Sequence, residues 1–177
     1  MFNRSKKELS FLQAPDREVV LMPIEKVKTL NVILVQEDKS APENMAYIDS
    51  LAAEYGIAVK YMVLNHGNYD VPSWYVKDNV TVFNCSHCCS RSGVPDAAKV
   101  SSFVKDSADM LFAISDHHDY TLECLSVMSC ARFRIGYDRS GRSIYDLSLK
   151  YSGDDNVGNS AQEIVSNLKL ITTNNEK

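Results

Sequence analysis

The stretch Cys85-Ser86-His87-Cys88-Cys89 is the sharpest chemical pattern in the chain. Two thiols at CxxC spacing can ligate zinc or form a redox pair, and the imidazole of His87 is a further ligand type. A structural zinc site closes with four ligands. No second CxxC and no HxxxH occurs to supply the rest. Cys124 and Cys130 lie on a helix-like stretch at a spacing that puts them on different faces. A redox pair needs a thiolate stabilised by a helix start, and the next helical pattern begins well after Cys89. Cys85, His87 and Cys88 stand as the metal candidates, against a plainer reading of inert loop and core thiols.

The second pattern is Asp116-His117-His118-Asp119. HxD spacing offers two metal ligands, and His66 or His87 is available as a third. One histidine could also act as a general acid or base, although no partnered nucleophile is evident. The competing reading is local. Asp116 or Asp119 is a good helix N-cap, acids favour the first turn, and histidines tolerate exposed loops. Arg132, Arg134, Arg139 and Arg142 form a third group, suited to a phosphate or carboxylate ligand. They equally suit an edge strand guarded by charge. Trp74 and Tyr75 read as a lid on the core or as a small exposed aromatic contact.

Other chemistries are disfavoured. GxGxxG, GxxxxGK[ST], GxSxG and HExxH are all absent. The loop Gln36-Glu-Asp-Lys-Ser-Ala-Pro42 has two acids and no glycine, so it is ill suited to cradle a pyrophosphate. A formal charge of -4 and a pI near 5.5 give no footprint for DNA or RNA. No cofactor is assigned.

The elements that must position these groups follow from hydropathy. Leu30–Val35 (LNVILV) and Met110–Ile114 (MLFAI) are continuous apolar runs, as in strands covered on both faces. Ser40 with Glu43 forms a capping box, Pro42 sits in the first turn, and Met45, Ile48, Leu51 and Tyr55 recur at helical spacing up to Gly56. Ala58–Leu64 is the next strand and Val80–Phe83 a shorter one. Helices are expected over 95–107 and 120–130. Arg132 and Arg134 alternate with Phe133 and Ile135, which predicts a strand with one wet face. After the turn Asp138–Arg142, Ile144–Leu149 returns as the second arm of an antiparallel edge hairpin. Ser160 with Glu163 caps the last helix.

The expected architecture is a three-layer, Rossmann-like α/β domain over 29–177 after an arm, 1–28. Its sheet is mostly parallel with the antiparallel hairpin at one edge. The basic start MFNRSKKELSFL lacks an apolar core, so no secretory signal is predicted, and no run approaches the ~18 apolar residues of a membrane span. Phe2, Lys6, Lys7, Phe11 and Leu12 could form an amphipathic helix. Five cysteines, an odd count, fit reduced thiols in a cytoplasmic protein.

The opening FNRSKKELSFL, the segment ADMLFAIS, and Ala131-Arg-Phe-Arg-Ile-Gly136 followed by Tyr145-Asp-Leu147 resemble a family of bacterial proteins of unknown function. The resemblance spans almost the whole chain and implies no activity. The family's middle loop is not cysteine-rich, so Cys85–Cys89 is a departure. Asp109–Tyr137 also resembles the N-terminal half of GT-B glycosyltransferases of the heptosyltransferase type. That resemblance implies an acceptor-side half alone, binding a sugar or phosphorylated ligand, since the donor half would need another ~150 residues.

If the two apolar strands are neighbours, their C-terminal loops meet at a topological switch point. That places Glu37, Asp38 and Lys39 beside Ser115, Asp116, His117 and His118 as the candidate ligand crevice. The expected function is a non-catalytic binding or interaction module, its partner a small ligand or a protein. No catalytic residue and no oligomeric state are assigned.

Overall fold

The computed structural model describes residues 12, 14–150 and 160–174. Six strands form one sheet: β1 (Thr29–Val35), β2 (Ala58–Asn65), β3 (Val80–Asn84), β4 (Met110–Ala113), β5 (Phe133–Asp138) and β6 (Leu147–Lys150). Their order is β3-β2-β1-β4-β5-β6 and every neighbouring pair is parallel. This is the doubly wound Rossmann order, with its switch point between β1 and β4.

The helices are α1 (Ala41–Tyr55), the single turn α2 (Cys85–Cys88), α3 (Ala97–Val104), α4 (Tyr120–Met128) and α5 (Ala161–Asn174). Because strand side chains alternate faces, β1 sends Val32 and Leu34 into one core and Ile33 and Val35 into the other. Met45 and Ile48 of α1 and Ile164 and Leu168 of α5 close the first core. Val100 and Phe103 of α3 and Leu122 and Leu125 of α4 close the second. The arm contributes as well: Ile24 and Val27 are fully buried in the first core. Trp74 packs on that core and Tyr75 is buried within it, so this pair covers apolar surface.

The antiparallel hairpin does not form. β6 runs parallel to β5, with Ile135 opposite Leu147 and Gly136 opposite Ser148. The expected turn is present, since Gly141 N–H donates to Asp138 Oδ1 at 2.7 Å and Gly141 has φ +66. The chain leaving it folds back over the α3/α4 face instead of pairing at once. Ile144 and Tyr145 pack into the second core. Asp146 then ties down the new strand's start: its N–H donates to Arg134 O and its Oδ2 accepts from Arg134 N–H. β5 is therefore an interior strand, and Arg134 is only 4% exposed rather than on a wet face.

Two smaller expectations also change. Ser40 makes no side-chain cap on α1, because its hydroxyl is held by Asp116. Residues 85–88 form a helical turn rather than open loop. Of the proposed amphipathic segment only Leu12 falls among the described residues. No helix among the described residues is long and apolar enough to cross a membrane.

Candidate functional site

The loops after β1 and β4 do meet at the switch point. Asp116 is the joint. Its carboxylate accepts from the N–H and hydroxyl of Ser40, and its own N–H donates to Asp38 Oδ2 at 2.8 Å. Asn44 Nδ2 donates to the same Ser40 hydroxyl at 3.0 Å, linking the joint to α1. Asp38 is buried, and that burial raises its carboxyl above the usual carboxylate range; the Asp116 N–H and the Ser115 hydroxyl partly oppose the shift. The crevice between these loops is thus filled by their own hydrogen bonds.

Glu37 bonds elsewhere, and Lys39 makes no bond to the joint among the described residues. Glu37 Oε1 accepts the N–H groups of His66 and Gly67, fastening the loop after β2. Lys39 is exposed. His66 in turn reaches Asp119, Nε2 to Oδ2 at 2.6 Å, and this bond raises the imidazole's affinity for its proton. Asp119 is the N-cap of α4, accepting from Leu122 N–H through Oδ1. One carboxylate thereby satisfies a helix end and holds the β2 loop.

Open space lies on the other side of the β4 loop. A recess of about 10 Å³, roughly one water molecule, is lined by Ser115, His117, His118, Glu123, Tyr137 and Arg139 among others. Glu123 is 4% exposed, and two side chains meet its carboxylate: His118 Nε2 at 3.3 Å and the Arg142 guanidinium, Nη1 at 3.2 Å. Arg139 Nη2 donates to Ser115 O at 3.0 Å. His117 and His118 are exposed at the rim. The rim can bind a polar or anionic group from solvent. Its recess is too small to enclose one.

No group of three or more His, Cys, Asp or Glu residues suited to a metal occurs among the described residues. Cys85 is buried, which pushes its thiol far up. Cys89 is also raised by burial, and Cys88 Sγ lies 3.6 Å from Lys99 Nζ. All five cysteines are free thiols. The four arginines of 132–142 do not form one patch either. Arg132 pairs with Glu18, Arg142 with Glu123, Arg139 binds Ser115 O, and Arg134 turns inward to Ser129 O.

Residues 3–171 match the model of a family of unknown function (DUF6913). The chain belongs to this family. The match includes Ala131–Gly136 and Tyr145–Leu147, the residues on which the resemblance rested, and the structure gives both a structural role in seating β6 beside β5. No curated protein and no solved structure matches the chain, so nothing among them bears on the glycosyltransferase resemblance.

Glu123 was not singled out from the sequence. A lone acid inside the apolar run TLECLSVM was the available signal, since buried acids demand partners. His66 was visible only as a spare ligand, because its bond to Asp119 spans 53 positions of chain.

Proposed function

We propose that this protein is a non-catalytic binding module that uses the C-terminal edge of its sheet as the recognition face. The observation that carries the reading is the joint at the switch point. Asp116, Ser40 and Asp38 lock two loops together and hold His117, His118 and Arg139 around a narrow rim. Ligand sites in doubly wound sheets form outside the strand ends at this location, and fixed donors bind with little ordering cost. The chemistry of the neighbouring groups favours binding over catalysis. The buried thiol of Cys85 is pushed away from thiolate, and Glu123 is held by His118 and Arg142.

The ligand is a small polar or anionic compound, or an acidic group on a protein surface. A glycosyltransferase-like acceptor half, binding a sugar or phosphorylated compound at the same edge, is the second reading; it draws on fold-level analogy. A thermal-shift screen of sugars, nucleotide sugars, nucleotides and divalent metals tests both, because a ligand stabilises the fold by mass action. The expected hit is an anionic compound whose shift is lost in a His117→Ala/His118→Ala variant. Turnover of that compound, followed by NMR, would overturn the non-catalytic reading. A nucleotide-sugar hit would favour the second, and no hit in any class removes the small-ligand form of both.

A further inference from the structure

A second cavity lies away from that rim, between the arm and the β5–β6 connection. It measures about 610 Å³, within the range of roughly 300–1,000 Å³ that encloses small molecules. Its wall carries Arg17, Arg134 and Arg142, with Asp146, Val127 and Ile144. We infer that this cavity is a binding site for a small ligand with an oxyanion head, a phosphate or a carboxylate, on an apolar body.

Arg134 carries the argument. It is 4% exposed, and Nε has no hydrogen-bond partner among the described residues. Nη2 donates to Ser129 O at 2.6 Å, which anchors one end of the guanidinium. No carboxylate among the described residues pairs with it. Arg17 takes Asp146 at 2.7 Å and also donates to Ala131 O and Arg132 O. Arg142 takes Glu123. Three guanidinium groups thus face two carboxylates, and the unbalanced charge is the most buried. Burial, reinforced by the like charge of Arg17 and only partly offset by Asp146, lowers Arg134 to about 10, so it stays protonated at neutral pH. A buried charge whose nearby carboxylate, Asp146, is already engaged by Arg17 is costly unless something supplies a further counter-charge. An oxyanion entering the cavity does so, and Arg is the side chain best shaped to receive it. Val127 and Ile144 give the apolar wall for the rest of the ligand.

Phenyl phosphate and benzoate probe the two heads, with benzyl alcohol as the neutral control and sodium chloride matching ionic strength. On the full chain, at least one anion should raise the melting temperature and benzyl alcohol should not. Calorimetry then ranks phosphate against carboxylate. Arg134→Met should weaken binding roughly tenfold or more, the worth of charge-assisted hydrogen bonds. Val127→Phe, which fills the cavity and leaves every arginine in place, should abolish binding and keeps the test alive if Arg134→Met fails to fold. His117→Ala, at a residue outside the cavity wall, should leave binding unchanged, which separates this site from the sheet-edge reading. The inference is overturned if neither anion stabilises, if benzyl alcohol stabilises equally, or if binding survives in the folded variants of Arg134 and Val127.

Discussion

The ring of Tyr145 occupies the space that a side chain on Gly136 would need. A Cβ at position 136 would lie 2.5 Å from Cε1 and Cζ of that ring. The contact seats the β5–β6 connection on β5 and so determines where β6 begins. Gly136→Ala should therefore destabilise the fold by about 1–3 kcal/mol, the usual cost of overpacking, read from urea midpoints. In a Tyr145→Ala background the added methyl has room, so its penalty should shrink. An equal penalty in both backgrounds would refute the contact's role.

That contact also explains how far the sequence could be read. The runs LNVILV and MLFAI were legible as central strands because both faces of each are covered, and an unbroken apolar run is the direct record of that. The meeting of the β1 and β4 loops followed from their adjacency. β6 was misread because its direction depends on Tyr145 reaching Gly136 and on Asp146 reaching Arg134, contacts that hydropathy does not encode. Arg134 looked wet for the same reason: what covers it is the returning chain. The capping box at Ser40 had the right residues, yet Asp116, 76 positions away, took the hydroxyl. At Ser40 the local signal lost to a distant charged partner, whereas Asp119 kept its cap and took a distant partner as well.

Asp38 should reveal itself by acid titration. Burial raises its carboxyl above the ordinary value of about 3.9. A group raised in the fold contributes stability below its unfolded value and loses that contribution as pH climbs through the folded one. At neutral pH the ionised Asp38 is thus a burden. Asp38→Asn keeps an oxygen for the Asp116 N–H and removes the charge, so it should match or exceed wild type at neutral pH. Its advantage should fade as pH falls toward the carboxylate range. A melting-temperature series that shows the advantage growing in acid would contradict the assignment.

His66 gives a second pH signature, at higher pH. Its bond to Asp119 raises the imidazole above its ordinary value of about 6.5. The stabilisation is complete below that value and disappears as pH rises through the raised one. Wild type should therefore exceed His66→Ala most at mildly acidic pH, with the gap narrowing into the alkaline range. The pair is partly exposed, so the effect is small and salt should weaken it. A gap that widens with pH would mean that the imidazole acts as a neutral hydrogen-bonding group instead.

The thiols supply the sharpest test of inert cysteines against a metal or redox centre. Thiolate is the reactive form. Burial pushes Cys85 far up, Cys124 up to about 12 and the partly exposed Cys89 up as well, whereas Cys88 and Cys130 are partly exposed. Ellman's reagent should accordingly react quickly with Cys88 and Cys130 and reach Cys85 and Cys124 only as the fold opens. Cys88→Ser/Cys130→Ser should remove the fast phase, and Cys85→Ser should leave it intact. Prolonged EDTA should not move the melting temperature, because a structural zinc would contribute folding energy outright. Loss of the fast phase in Cys85→Ser, or a lowered melting temperature after EDTA, would return Cys85, His87 and Cys88 to the role of a working site.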